Sequence, residues 1–239
     1  MTIELFREDA YLRDAPAMVH SITQEGGIVL DRSVFYPTGG GQPGDSGRLS
    51  WPGGAIGIAT AVRTHDGAIA LVPSEPGGIP EPGTQVEQAL DWDRRHRHMR
   101  VHTALHLLSV VLPFGVTGGS IAATHGRLDF DMADAPQDKA EIEARLNDLV
   151  AQDLRVAEQW ITEDELDANP GLVKTMAVMP PRGTGRIRLV RIGAENDPVD
   201  LQPCGGTHVA RLGEIGLLRL GKIEKKGRMN RRVYVHLDS

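Results

Sequence analysis

The chain contains few aromatic residues, one cysteine and no long hydrophobic run. Ten of its 239 residues are Phe, Trp or Tyr, too few for aromatic stacking to dominate the binding of a nucleic-acid strand. The single cysteine excludes an internal disulfide and is typical of a reducing compartment. Even the run LLSVVLPFGV is too short to span a bilayer, and the N-terminal MTIELFREDAYLRDA is too charged for a signal peptide. We therefore expect a soluble, cytoplasmic protein with no membrane partner.

The charge of the chain is negative overall but locally positive. The net charge of −6 disfavours a protein that coats nucleic acid. Two basic segments could nevertheless contact phosphates, although such segments are more often solvated faces. They comprise Arg94, Arg95, Arg97 and Arg100, and further along Lys222, Lys225, Lys226, Arg228, Arg231 and Arg232.

The pattern of residues predicts an α+β protein in two domains, residues 1–90 and 91–239. The first is rich in glycine and proline and has short β-type runs such as GGIVLDRSVFY and AIGIATAV, which indicate a small antiparallel barrel or sandwich. The segment PSEPGGIPEPG is typical of a loop or linker near the boundary. The second domain combines helices with later β-type runs at 186–192, 216–220 and 232–237.

Two helices are predicted in the second domain. Asp91 or Asp93 can cap the first, which should continue to about Leu112 because Pro113 follows. The second is expected from Gln137 to about Glu158, with its apolar residues on one face.

The motif HTALHLL places His102 and His106 four positions apart, on one face of the first helix. The same spacing also relates His98 to His102, so spacing alone does not define a metal site. A zinc protease of the HExxH type would need glutamate where this chain has Thr103. The histidines could equally form the polar edge of the buried stripe of this helix.

The motif CGGTH places the only cysteine, Cys204, four residues before His208. Its two glycines allow a tight loop that approaches a ligand closely. Together with His102 and His106 these side chains form a donor set that suits zinc. The alternative is a buried thiol that acts as a small hydrophobe.

The glycine-rich segment YPTGGGQPGDSG does not match a phosphate-binding loop, because no Gly-Lys-Ser/Thr follows and Pro43 lacks a backbone donor. Two interpretations stay open. One is a hairpin turn, and the other is an extended loop that presents Gln42 to a site.

Taken in order, these motifs resemble those of the freestanding alanyl-tRNA editing proteins, the AlaX family, in the medium-length form. The family is related to the editing domains of alanyl- and threonyl-tRNA synthetases. The resemblance is carried by YPTGGGQPGDSG, the arginine-rich approach to HTALHLL, VTGG at 116–119, RLDFDM at 127–132 and CGGTHV.

The resemblance implies a zinc-dependent deacylase that hydrolyses Ser-tRNA(Ala) or Gly-tRNA(Ala) to free amino acid and tRNA, without ATP. His102, His106, Cys204 and His208 would be the catalytic zinc set. Because four protein ligands complete a tetrahedral shell, either one of them, such as His208, leaves the metal, or zinc organises the pocket. Substrate contacts would come from Gln42, Thr117, Gly118 and Asp129, and tRNA contacts from the two basic segments.

Two other functions remain compatible with the sequence. One is a non-catalytic tRNA-binding protein or synthetase partner that keeps the editing fold. The other is a hydrolase of a different acyl ester. The intact set of candidate ligands disfavours the first, and the basic segments disfavour the second.

Overall fold

A computed structural model describes residues 2–175 and 185–238, and the chain divides into two compact units, residues 1–97 and 98–239. Strands dominate both units, and the described part of the chain has few helices. The boundary between the units falls within the first long helix. These compact units do not test the predicted domain boundary after residue 90, which stays a prediction.

Six antiparallel strands of the first unit close into a barrel, as expected. Alternate residues of a strand point to opposite sides, and the inward set, which includes Val19, Leu49 and Leu71, forms a buried apolar core. The strands of this unit are β1 (Ile3–Glu4), β2 (Asp14–Ile22), β3 (Ile28–Leu30), β4 (Arg32–Ser33), β5 (Gly47–Trp51), β6 (Gly54–Arg63), β7 (Ile69–Pro73) and β8 (Gln85–Leu90). The barrel order is β2-β3-β7-β6-β5-β8, while β1 pairs with β4.

The proline-rich segment at 73–83 does not lie at the domain boundary. It connects β7 to β8, and β8 pairs with both β2 and β5. The segment is therefore a loop within the barrel, which is one of the two predicted alternatives.

The glycine-rich segment forms a tight turn. Gly39 and Gln42 exchange two backbone hydrogen bonds of 3.0 and 2.9 Å. Gly40 and Gly41, the two residues between them, have φ of +57° and +82°, which residues with a side chain rarely adopt. Of the two interpretations, the structure shows the hairpin-type turn, with Gln42 directly after it.

The first long helix, α1 (Trp92–Val111), begins and ends as predicted. The carboxylate of Asp91 accepts a hydrogen bond of 3.2 Å from the amide of Arg94, so Asp91 caps the helix. Pro113 follows its end. On one face of the helix, Val101 and Leu105 are buried.

The second helix, α2 (Lys139–Ala151), is shorter than predicted. Asp138 caps it, and Ile142, Leu146 and Val150 form its buried face. The chain then turns at Asp153, which has a φ of +46°. Residues expected to extend the helix belong instead to a strand that begins at Val156, because they pair with residues 187–192.

Two sheets complete the second unit, together with a short helix, α3 (Glu163–Ala168). Their strands are β9 (Val116–Ile121), β10 (His125–Asp131), β11 (Val156–Ile161), β12 (Ile187–Gly193), β13 (Pro198–Pro203), β14 (Leu218–Gly227) and β15 (Asn230–Leu237). One sheet has the order β14-β15-β10-β9 and the other β11-β12-β13.

Gly126 of β10 allows α1 to lie close to its sheet. A Cβ at this position would be 2.7 Å from Cγ1 of Val101 and 3.0 Å from Cδ1 of Leu105. Since such distances are shorter than any normal carbon contact, a larger residue would push the helix away. This contact fixes the part of α1 that carries His102.

Within the described residues, no helix is long and apolar enough to cross a membrane.

Candidate metal centre

His102 and His106 lie one turn apart on α1, and both are buried. Their ring centroids are 5.5 Å apart, as the spacing of four residues predicts. The structure groups His102 with His106 and not with His98. The two histidines thus supply two imidazole nitrogens to one side of a buried cluster.

The loop after β13 supplies the other two side chains. Sγ of Cys204 lies 3.5 Å from Nε2 of His102 and 3.2 Å from Nε2 of His208. One ligand atom from each of the four residues lies within 4.8 Å of every other. Residues about a hundred positions apart in sequence therefore converge on one point, as the donor set predicted.

Hydrogen bonds select which imidazole nitrogen is free to bind a metal. Nδ1 of His106 is 2.8 Å from a carboxylate oxygen of Asp200, which can only accept. Nδ1 of His208 is 3.2 Å from the hydroxyl of Thr103, which already donates to the carbonyl of Met99 at 2.9 Å. Both Nδ1 atoms must therefore carry a proton, which leaves Nε2 as the atom of each ring that can bind a metal in the cluster.

Asp200 is itself held in place. It is 2% exposed, accepts a hydrogen bond of 2.8 Å from Nε2 of Gln202 and forms an ion pair with Lys174. A carboxylate that orients a ligand imidazole is a common second layer around bound metals. Asp200, Gln202 and Lys174 were missed in reasoning from the sequence, because Asp200 meets His106 across 94 residues.

The charges of the cluster also suit a metal. Burial lowers the pKa of His106, but the hydrogen bond to Asp200 and the thiolate of Cys204 outweigh it and raise this pKa to about 9. Burial raises the pKa of Cys204, but the neighbouring imidazoles of His102 and His208 hold it well below its ordinary value. Burial and the charge of His102 lower the pKa of His208 to about 3. The cluster favours a thiolate and a neutral His208, the forms that bind metal, and a metal must displace one proton from His106.

One thiolate and three imidazoles fit Zn²⁺ better than a hard cation such as Mg²⁺ or Ca²⁺, which prefers oxygen ligands. The separations of 3.2 and 3.5 Å between sulfur and nitrogen are close to the edges of a tetrahedron with Zn–S and Zn–N bonds of about 2.3 and 2.0 Å. The residues present therefore fit zinc.

Three predicted substrate-binding residues form a second group, on β9 and β10. Gly118 lies opposite Asp129 in the sheet. The hydroxyl of Thr117 donates to the backbone carbonyl of Asp129 at 3.1 Å and accepts from Nδ2 of Asn230 at 2.7 Å. The carboxylate of Asp129 receives two hydrogen bonds from Arg232, at 2.7 and 2.9 Å, which hold its pKa low against the effect of burial.

Several predicted tRNA-binding cations have partners within the protein. Arg95 is fully buried and bonds to Asp45 and to the carbonyls of Val34 and Ala10. It stabilises the first unit, and its guanidinium has no exposed surface in this structure for the predicted contact with a phosphate. Arg231 is 7% exposed and bonds to backbone carbonyls.

Arg232 and Arg100 also bond within the protein. Arg232 forms its ion pair with Asp129, and Arg100 donates two hydrogen bonds to the carbonyl of Ile215, at 3.0 and 2.7 Å. Guanidinium groups engaged in this way hold strands and turns together, which leaves them less able to bind an added phosphate.

The remaining cations are more accessible. We call the part of β14 and β15 between Lys222 and Arg232 the basic hairpin. Lys222 and Lys226 lie near Glu224, at 2.5 and 4.0 Å, in exposed pairs. The exposed cations of the basic hairpin are Lys222, Lys225, Lys226 and Arg228. In the first unit Arg97 is exposed, and Arg94 donates to the carbonyl of Gly44 at 3.3 Å.

Comparison with known proteins gives two kinds of match. Residues 187–234 match the family described as "Threonyl and Alanyl tRNA synthetase second additional domain", and residues 10–94 match "tRNA synthetases class II (A)". The chain is 36% identical over 247 positions to the alanyl-tRNA editing protein AlaX-M of Methanosarcina barkeri, and 32% over 259 positions to that of Methanosarcina acetivorans. Each alignment covers 99% of both proteins.

The chain is also 36% identical over 238 positions to the alanine–tRNA ligase of Pyrobaculum calidifontis. That alignment covers 94% of the chain but 25% of the ligase. The chain thus spans about a quarter of the length of the ligases it matches.

The match of residues 187–234, which include Cys204 and His208, relates this part of the chain to the second additional domain of threonyl- and alanyl-tRNA synthetases. For the whole chain, the full-length matches are decisive. The chain belongs to the alanyl-tRNA editing protein family, in its AlaX-M form.

Proposed function

We propose that this protein removes a wrong amino acid from tRNA(Ala) by hydrolysing the ester of Ser-tRNA(Ala) or Gly-tRNA(Ala). The products are free amino acid and reusable tRNA, and the reaction needs no ATP. One observation carries the proposal in a chain of this family: four metal-binding side chains converge, with two imidazoles oriented by buried partners. Such hydrolysis supplies the discrimination that a synthetase pocket cannot achieve between amino acids of similar size.

We propose that His102, His106, Cys204 and His208 hold Zn²⁺. When bound, zinc polarises a carbonyl oxygen or lowers the pKa of a water molecule. The protein's part is to direct the Nδ1 atoms of His106 and His208 toward Asp200 and Thr103, so that both Nε2 atoms face the ion, and to hold the thiolate of Cys204 in place. Thr103 therefore supports a ligand, whereas glutamate at this position in a zinc protease would act on water.

The hydrogen bonds of Thr117 support its role as the contact for serine. Its proton is used by the carbonyl of Asp129 and one lone pair by Asn230. The other lone pair can accept a hydrogen bond from a substrate hydroxyl. Alanine has no hydroxyl and would leave that acceptor without a partner, which costs binding energy.

The other proposed contacts follow from their positions in the chain. Gly118 provides space beside Thr117, and Asp129 supports Thr117 through its backbone. Gln42 directly follows the glycine turn and is buried, and we keep it as a substrate contact because the glycine-rich segment resembles that of the family. For tRNA phosphates we propose the exposed cations of the basic hairpin, with Arg94 and Arg97 of the first unit.

The test is the release of labelled serine, glycine and alanine from tRNA(Ala), with and without the protein. We expect rapid loss of serine or glycine, sparing of alanine, and no release by a Cys204→Ala variant. No release of any of the three by a folded wild-type protein that binds zinc and tRNA would identify a tRNA-binding protein without turnover.

A second variant tests how the metal is held. If all four side chains are ligands, His208→Ala should lower zinc affinity together with activity. A variant that keeps both would identify an ion held by His102, His106 and Cys204, with one position available for water or substrate.

A further inference from the structure

Arg188 of β12 directly contacts the loop that carries Cys204 and His208. Its Nη1 atom donates to the carbonyl of Cys204 at 2.7 Å and to the carbonyl of Gly206 at 2.9 Å. Its own backbone carbonyl accepts a hydrogen bond of 3.1 Å from the amide of Cys204. One residue thus makes three hydrogen bonds to this loop.

The loop needs such support. Gly205 and Gly206 lie between the two candidate ligands, and glycine loses more conformational freedom on ordering than any other residue. A Cβ at Gly205 would meet nothing within 4 Å, so side-chain packing does not restrain the backbone there. Hydrogen bonds to the loop carbonyls therefore restrain the glycine part of the loop, and with it the position of Sγ of Cys204, 3.2 Å from Nε2 of His208.

The guanidinium of Arg188 is placed for this purpose. Arg188 is 5% exposed, and its Nη2 atom forms an ion pair with Glu158 of β11. A buried charge is costly unless it is paired and hydrogen-bonded, and here Glu158 supplies the opposite charge. Because β11 and β12 are paired strands, the ion pair anchors Arg188 to a rigid sheet and leaves Nη1 for the loop.

We propose that Arg188 is a positioning residue, which sets the distance between Cys204 and His208 for metal binding by joining two carbonyls of their loop. The inference rests on the proposed metal site and deepens it. Arg188 lies sixteen residues before Cys204 and touches neither ligand atom in the bonds described, so it acts through the loop backbone.

The test compares Arg188→Met and Arg188→Gln with an Arg191→Met control. Arg191 lies on the same strand and donates to the carbonyl of Gly193, outside the loop. Zinc affinity is measured by competition with a chelator. The environment of Cys204 is followed by the thiolate-to-metal charge-transfer band of the Co²⁺-loaded protein. Circular dichroism and thermal unfolding of each metal-free variant establish that it is folded.

We expect both Arg188 variants to bind zinc at least about tenfold more weakly, as is typical when a supporting partner of a metal ligand is lost. The Co²⁺ charge-transfer band should weaken or shift, whereas the Arg191 control keeps the wild-type affinity and band. Arg188→Lys, which keeps a charged donor but loses the planar fork, should restore part of the affinity.

Wild-type affinity and an unchanged band in a folded Arg188 variant would overturn the inference. If Arg188→Met does not fold, the more polar Arg188→Gln decides in the same way. Failure of the wild-type protein to bind zinc or Co²⁺ would instead contradict the proposed function, so the two failures are distinguishable.

Discussion

The buried metal cluster and the basic hairpin are both rich in charged or ionisable groups, but they use them differently. In the cluster, each charged group has partners of fixed geometry: Asp200 contacts His106, Gln202 and Lys174. In the hairpin, Lys222 and Lys226 are exposed and share the half-buried Glu224, so solvent screens their ion pairs. The difference indicates that metal binding by the cluster depends on the positions of single atoms, whereas tRNA binding by the hairpin depends on its total positive charge.

Removal of the metal should affect the function of the cluster strongly and that of the basic hairpin little. Dialysis against a chelator is expected to lower serine release from Ser-tRNA(Ala) by more than about a hundredfold, because a bound Lewis acid contributes several kcal/mol. Binding of tRNA to the same sample should change little. Activity should return on addition of zinc, and hydrolysis that survives complete removal of metal would contradict a metal-centred reaction.

Asp200→Asn tests the dependence of the cluster on single atoms. The amide can still accept from His106 but no longer neutralises Lys174, so zinc affinity should fall about 10- to 100-fold. Chelator competition measures this change. Asp238→Asn is the matched control, since Asp238 contacts Arg219 at the surface. An equal loss of affinity in both variants would show an effect of overall charge rather than of position.

Charge reversal tests the hairpin. Lys225→Glu combined with Lys226→Glu should weaken tRNA binding at moderate salt. The slope of log affinity against log salt should become shallower by about one for each phosphate that the variant no longer binds. A variant with Arg48→Glu and Arg145→Glu has the same change of net charge at other exposed positions. Equal weakening in the two variants would mean that the hairpin has no special part in binding.

The smallest effect is expected for the ion pair of Asp129 and Arg232, which has fixed partners like the cluster but includes an arginine of the basic hairpin. Asp129→Asn should lower the free energy of unfolding at pH 7 by up to about 1 kcal/mol. Because Arg232 and Arg127 hold the pKa of Asp129 below its ordinary value of 3.8, this stabilisation is present above that value. It disappears as the pH falls through the lower pKa of the folded state.

Urea unfolding of Asp129→Asn and wild type at several pH values measures this difference. A difference that grows as the solution becomes more acidic would contradict the role of the ion pair. Arg232 would then be available to phosphates, as its place in a basic segment predicted.

Local signals in the sequence predicted the elements whose causes are local. Asp91 and Pro113 mark the ends of α1, and closely spaced glycines and prolines mark the barrel strands. The end of α2 was missed because strand pairing, which no local signal reveals, incorporates residues from Val156 onward into a sheet.

The candidate ligands were found for a similar reason. His102 and His106 are neighbours on a helix, and Cys204 and His208 share a short loop. Their supporting residues were not found, since Asp200 meets His106 across 94 residues. Arg188 could be suspected only from its place in a largely apolar strand, where a buried charge needs a partner.

The order of strands in the second unit has a consequence for the protein while it is being made. The barrel has all of its strands once residue 90 has been synthesised, but β10 pairs with β15, about a hundred residues later. At ordinary rates of translation this interval is roughly 5–20 s. During it the edge of β10 has no partner strand and can pair with other chains. A nascent chain that stalls in this interval would therefore be more prone to aggregate than one that stalls just after the barrel.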